Sequence, residues 1–367
     1  MNLRFFMPTQ IIIGEDCIIN NGQILKELGR KAIIVTGKNS AKINGSLIDV
    51  VSVLTANGQE YVIFDEVMAN PTVDCVYQGA AMARKEMADF VIAIGGGSPM
   101  DAAKAISLLS CQNISRDKLF LGQYEENVLP MAFIPTTAGT GSEVTQYAIL
   151  TNDELKTKTS LAAPILFPKV AFLDSKYTMS LSKTTTINTA VDALSHAMEG
   201  YLSGRANGIS DILALESMQI IAKLFDKLKS FDLNKDDRDA LLYASTLGGM
   251  VIAHTGTTAV HAMGYSLTYF KDIDHGRANG LLMGEFLKFV QKVRTERVDA
   301  MMDKMGFVSL QEFINQLDEL LGEKEELTVE EALEYSKKAM KTKNITNCIV
   351  TPAEEDLLHI YRTVFEI

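Results

Sequence analysis

The rhythm of hydrophobic positions changes once along this chain. In the first half, short apolar runs rich in β-branched residues alternate with amphipathic stretches. The runs at 31–36, 61–64, 90–94 and 131–134 have the length, and the flanking Gly, Asn, Asp and Pro, of buried strands. Segments 73–85 and 100–109 repeat apolar residues at helical spacing. Such alternation predicts a parallel sheet with helices on both faces. Residues 4–13 read as an extra hairpin in front of it, closed by Gly14-Glu15-Asp16.

After Phe172-Leu173-Asp174 the strand pattern stops. The helical period then recurs at 185–202, 209–229, 235–253, 278–292, 309–320, 328–341 and 353–365. Prolines follow the same shift, since only Pro352 lies beyond Pro168. The expected fold class is an α/β domain over residues 1–178 followed by an all-α domain over 179–367, divided near 175–183. A length of 367 residues agrees with two cores.

Composition narrows the function. Hydrophobic residues at 47% and charged residues at 22% describe a folded globular chain. A net charge of −11 disfavours nucleic acid as a partner. An anionic cofactor remains compatible, because backbone amides at a helix start act locally. Cys17, Cys75, Cys111 and Cys348 are scattered with no CxxC pair, which argues against a disulfide framework or a zinc–thiolate cluster. With no signal sequence and no apolar run of about 20 residues, a cytoplasmic protein off the membrane is expected.

The chain has only five histidines, and three fall into a pattern with an acid. Asp192 and His196 are four residues apart on a predicted helix, opposite a stripe of Ile187, Val191, Leu194, Met198 and Tyr201. Glu199 shares their face. Taken alone, the pair reads as the solvated side of an amphipathic helix. His261 lies among small and apolar residues, where a buried ring needs a partner. His275 follows fourteen residues later, in a loop that precedes a helix. One carboxylate and three imidazoles suit Fe²⁺, Zn²⁺, Co²⁺ or Mn²⁺ and leave a position open. His254 is a pocket-wall or core residue, on the same face as His261 if their helix is continuous. His359 reads as structural or exposed.

Upstream, Gly95-Gly96-Gly97-Ser98-Pro99-Met100-Asp101 joins an apolar strand to a helix, as a pyrophosphate-binding turn does. It is not GxGxxG and could be only a tight turn. A second turn of this character, Pro135-Thr136-Thr137-Ala138-Gly139-Thr140-Gly141-Ser142-Glu143, follows the next strand. A nucleotide in one half and a metal in the other are what carbonyl reduction needs.

These motifs, in this order, resemble those of the iron-containing (group III) alcohol dehydrogenase family from end to end. Asn70-Pro71-Thr72 and Met7-Pro8-Thr9 also fit its pattern. The resemblance implies a Rossmann-like dinucleotide-binding domain, a helical domain of dehydroquinate synthase-like architecture, and a metal in the cleft between them. It implies Asp192, His196, His261 and His275 as ligands of one divalent ion, Fe²⁺ or Zn²⁺. Gly96, Gly97 and Ser98 would hold the pyrophosphate, with Asn70, Asp101, Thr136, Thr137, Thr140 and Lys158 along the cofactor groove. A small alcohol or aldehyde would be the substrate, and a homodimer paired through edge strands the assembly.

Two positions depart from the common family pattern. Tyr265 stands where many members have a histidine proposed as a proton relay, and a phenol of pKa about 10 is a poorer base near neutrality. The relay is then expected through Tyr265, His254, water or the cofactor ribose. Gly37 stands where NAD-preferring members tend to carry an acid, followed by Lys38, Asn39 and Ser40, which could hold a 2′-phosphate. NADP(H) is therefore expected over NAD(H), although Asp65-Glu66 could be taken for the ribose acid. The alternatives are a polyol or sugar-phosphate dehydrogenase of the superfamily, a dehydroquinate synthase-like lyase that recycles its cofactor, and a nucleotide-binding module with a structural metal.

Overall fold

The computed structural model describes residues 4–152 and 157–367. They form two compact units: residues 7–181, and residues 182–367 with the N-terminal segment up to Phe6.

The first unit is built on eight strands, β1 (Gln10–Ile13), β2 (Lys31–Thr36), β3 (Glu60–Phe64), β4 (Phe90–Gly95), β5 (Met131–Pro135), β6 (Tyr147–Asn152), β7 (Thr157–Ala162) and β8 (Val170–Leu173). Its helices are α1 (Cys17–Asn20), α2 (Ser40–Ile43), α3 (Ser46–Asn57), α4 (Val73–Lys85) and α5 (Gly97–Cys111). Six strands make one sheet in the order β1-β8-β5-β4-β2-β3, parallel throughout. Successive side chains point to opposite faces and both faces of β2, β4 and β5 are covered, which explains why these strands read as unbroken apolar runs. Ile33, Val35, Val91, Ala93 and Phe133 pack in one core with α4 and α5 residues, and Ala32, Ile34, Ile92, Ile94 and Ala132 in another with α3 residues. The order reverses between β2 and β4, whose ends lie side by side with Thr36 opposite Ile94. A parallel sheet offers its ligand crevice at such a switch point. The Gly37 and Gly96 turns leave from there.

Two expectations for this unit need correction. Residues 4–13 contain no hairpin: only β1 is a strand, and it pairs parallel with β8 at the sheet edge. Its apolar Ile11-Ile12-Ile13 gains a partner about 160 residues away, which local pattern cannot reveal. Conversely, β6 and β7 form an antiparallel hairpin absent from the sequence reading. Thr, Lys and Asn dilute its alternation, and Ala148, Leu150 and Leu161 are its buried side chains.

The second unit is helical: α6 (Lys183–Tyr201), α7 (Gly208–Lys223), α8 (Phe225–Ser230), α9 (Lys235–Thr255), α10 (Ala259–Lys271), α11 (His275–Met305), α12 (Leu310–Leu321), α13 (Val329–Met340) and α14 (Glu354–Phe365). The predicted 209–229 helix divides into α7 and α8 at Leu224. The predicted 278–292 helix runs instead from His275 to Met305, bent at Arg294. His254 and His261 do not share a helix. Gly256, at φ +66°, ends α9, and α10 starts afresh at Ala259. Among the described residues no helix is long and apolar enough to cross a membrane.

Candidate functional site

Helix α6 is capped by the Ser182 side chain, which accepts from the Thr185 N–H. Its polar face does not meet solvent. Asp192, His196 and Glu199 are 4%, 5% and 1% exposed, because α7, α9 and α11 pack around the helix. The solvated-face reading is thus overturned. His261, in the first turn of α10, and His275, the first residue of α11, bring their Nε2 atoms to the same carboxylate. His196 Nε2, His261 Nε2 and His275 Nε2 lie 3.9, 3.9 and 4.0 Å from Asp192 Oδ1. The ligand atoms of Asp192, His261 and His275 all fall within 4.8 Å of one another. Ligands about 2.1 Å from one tetrahedral ion stand about 3.4 Å apart, so small side-chain adjustments would close this set on a single cation. A donor set of one carboxylate and three imidazoles in a buried setting fits a divalent transition metal.

Sequence reasoning placed Glu199 on this face but assigned it no task. It is the most heavily bonded side chain of the site. Glu199 Oε1 accepts from the Thr258 N–H and hydroxyl at 2.8 and 2.6 Å, and from the Val260 and His261 N–H groups at 3.1 and 3.3 Å. It therefore caps α10, whose N-cap residue Thr258 supplies no side-chain cap of its own. The other oxygen, Oε2, takes the Nδ1–H of His261. That bond leaves the Nε2 lone pair of His261 facing Asp192, the tautomer a metal ligand requires. Burial raises the Glu199 carboxyl, but His261 and these donors outweigh it and hold the group below the usual carboxylate range.

Two further residues shape the centre. The Asn279 Nδ2, one turn after His275, lies 3.2 Å from Asp192 Oδ1, 3.3 Å from His261 Nε2 and 3.4 Å from His275 Nε2. Asn188 Nδ2 donates to Asp274 Oδ2 at 2.6 Å and so ties the start of α11 to α6. A Cβ at position 276 would fall 1.8 Å from the Asn188 carbonyl oxygen, so only glycine lets His275 approach Asp192. The Tyr265 ring stacks on His275, with centroids 5.7 Å apart, and meets His261 edge-on at 6.3 Å. His254 is engaged elsewhere. Its Nδ1 donates to the Met250 carbonyl at 2.8 Å, its Nε2 accepts from the Phe6 N–H at 3.0 Å, and Phe5 stacks on its ring. With both nitrogens bonded to backbone, His254 anchors the N-terminal segment. His359 is exposed on α14.

In the first unit the two hydroxyl- and glycine-rich turns lie against each other. A Cβ on Gly96 would meet Thr137 Oγ1 at 2.9 Å, and one on Gly97 would meet the Thr140 methyl at 2.7 Å. Gly97 and Ser98 open α5, so their N–H groups are free of intrahelical partners and suited to an anion. Ser98 Oγ accepts from the Asn70 N–H at 3.2 Å, and the Asn70 carbonyl accepts from Thr151 on β6 at 2.9 Å. Lys158 on β7 is the register partner of Thr151. The Thr136 N–H donates to the Gly95 carbonyl at 2.9 Å. Asp101 turns to the protein: its Oδ1 accepts from Ser142 Oγ at 2.7 Å and its Oδ2 from the Ile149 N–H at 3.0 Å. Gly37 follows β2, and Lys38, Asn39 and Ser40 are exposed beside it.

Glu199→Gln keeps the size of the side chain but presents an amide donor to His261 Nδ1, which forces the proton onto Nε2. We expect the affinity of chelator-stripped protein for Zn²⁺, titrated calorimetrically, to fall by about 10- to 100-fold. An unchanged affinity would remove Glu199 from the metal site.

Comparison with known proteins places this geometry. The iron-containing alcohol dehydrogenase family matches residues 8–175, and the C-terminal part of the same family matches residues 186–365. The crystal structure of an iron-containing alcohol dehydrogenase from Thermotoga maritima is 41% identical, covers 100% of both chains and superposes with a TM-score of 0.93. An NADPH-dependent butanol dehydrogenase of Clostridium saccharobutylicum is 32% identical over 80% of this chain and 76% of its own. An NAD-dependent methanol dehydrogenase of Bacillus methanolicus is 29% identical over 83% of this chain and 80% of its own. The chain belongs to the iron-containing alcohol dehydrogenases, metal- and nicotinamide-dependent oxidoreductases of alcohols and aldehydes.

Proposed function

We propose that this protein reduces small aldehydes to primary alcohols, reversibly, with NADP(H) and one divalent ion held by Asp192, His196, His261 and His275. The observation that carries the reading is the convergence of three imidazole Nε2 atoms on one buried carboxylate oxygen. In this reading residues 1–178 bind the dinucleotide and residues 179–367 bind the metal. When bound, the ion supplies Lewis-acid polarisation of the substrate oxygen, and the dinucleotide gives or takes hydride. Glu199 keeps His261 in its ligating tautomer. Gly96, Gly97 and Ser98 receive the pyrophosphate on backbone N–H groups. We assign the proton on the substrate oxygen to the Tyr265 hydroxyl, since both His254 nitrogens already serve backbone groups.

The coenzyme preference rests on Gly37. A Cβ there would meet Val67 O at 3.4 Å and Ser40 Oγ at 3.8 Å, ordinary contacts, so nothing around the Cβ position itself demands glycine. Asp65, the rival ribose acid, is bonded to Lys42 Nζ at 2.6 Å, and that bond holds its carboxyl below the usual range. Relatives carry both coenzyme names, so the NADP(H) reading rests on this chain's own residues. All four cysteines are free, in keeping with a reducing cytoplasm. Among the described residues the edge strand β1 pairs on one side alone, and on its other side we place the contact of a homodimer.

Absorbance at 340 nm, followed with NADPH and butyraldehyde, tests the reaction. Chelated protein should be inactive and regain activity with Fe²⁺ or Zn²⁺. His261→Ala and His275→Ala should lose turnover yet keep dinucleotide affinity. Wild-type rates from both variants without metal would refute the mechanism. No net oxidation across an aldehyde panel, with cofactor and metal bound, would point to a lyase that recycles its cofactor. Gly37→Asp should shift the NADPH/NADH ratio of kcat/KM towards NADH by about tenfold or more, by placing a carboxylate beside the 2′-phosphate. An unmoved ratio rules out this basis of preference. Light scattering should give twice the mass of the 367-residue chain, and a monomer would exclude the edge-strand dimer.

A further inference from the structure

Lys104 is a lysine with no exposure to water, inside the first unit and absent from any role discussed above. Its ammonium has more acceptors than it has protons. Ser142 O and Ser142 Oγ lie at 2.8 Å each, Tyr147 O at 2.6 Å and Thr145 Oγ1 at 3.1 Å. Asp101, one turn earlier on α5, approaches only to 4.0 Å and is reached through Ser142, whose hydroxyl donates to it. Burial of a cation without a close ion pair is costly, so the arrangement answers a need of the turn it holds. That turn carries two inward carbonyls, of Ser142 and Tyr147, which no apolar side chain on α5 could satisfy.

The turn leads to the dinucleotide loops. The Ser142 N–H donates to Thr140 Oγ1 at 3.2 Å, and Thr140 packs on Gly97. We propose that Lys104 is a positioning residue for the dinucleotide: from beneath α5 it clamps the 142–147 turn and so holds Thr140 against the Gly96-Gly97-Ser98 helix start. It touches no cofactor atom in this scheme. The inference rests on reading those loops as the dinucleotide site.

The charged groups around Lys104 set its response to pH. Burial, the largest influence, lowers it, while Asp101 on α5 and Glu143 on the turn raise it, leaving it at about 8. On the sheet side the Phe133 ring lies 5.8 Å from the ammonium, and Lys158 acts on Asp101. The full clamp stands below that value. As pH rises through it, the amine loses a proton and one of its donors.

NADPH affinity, measured by the fluorescence of the bound coenzyme, tests the clamp. In wild-type protein it should be constant near pH 7 and weaken as pH rises through about 8. Lys104→Met should raise the dissociation constant about tenfold or more at all pH values, with no limb near 8, while Zn²⁺ affinity stays unchanged. Lys104→Arg, which keeps its charge, should bind better than Lys104→Met and also lack the limb. If Lys104→Met does not fold, the wild-type series and Ser142→Ala, expected to weaken binding, carry the test. A flat wild-type profile, or variants that bind NADPH as wild type does, overturns the clamp while leaving the proposed function intact. Failure of wild-type protein to bind any dinucleotide overturns both.

Discussion

A buried carboxylate organises the helical unit. Glu199 is ionised within a protein interior, a state that costs several kcal/mol unless its oxygens are fully bonded. The chain meets that demand with the one cluster of donors that a helix always leaves over, the N–H groups of its first turn. One ion–helix contact thereby fixes three things. It sets where α10 begins, how α10 stands on α6, and which nitrogen of His261 faces Asp192. Glycine at 276 completes the arrangement by bringing α11 within reach of the same carboxylate.

The first unit solves a related problem with the same kind of parts. Helix α5 starts at the carboxyl end of the central strand, so its free N–H groups point where a parallel sheet receives ligands. The turn after β5 has to lie close to that helix start, which glycines at 96 and 97 permit sterically. Asp101 and Lys104 then fasten the far side of the turn to α5 from below. A sequence motif taken as a set of cofactor contacts thus contains at least one residue, Asp101, whose oxygens are bonded to the protein itself.

Much of this was legible in the pattern of residues. The strands β2, β4 and β5 announced themselves because both faces of a central parallel strand are buried, which makes the run apolar without interruption. The candidate metal ligands stood out because aspartate and histidine at i and i+4 are conspicuous in a chain with five histidines. What escaped notice was non-local. β1 could not be distinguished from a hairpin strand, because its partner β8 lies at the other end of the unit. The β6–β7 hairpin, half polar, carried too weak an alternation to register.

The residues by themselves determined the two-part architecture, the four candidate ligands and the two glycine-bearing turns, since each depends on local period, on residue chemistry or on spacing along one element. Only the tertiary structure decided the rest. It showed that the polar face of α6 is interior, that Glu199 serves His261, that His254 belongs to the N-terminal segment and that Lys104 holds a turn. Each of these depends on which backbone groups another segment leaves unsatisfied nearby. A sequence does not display that, because hydrogen-bonding need arises only when elements pack and water is removed.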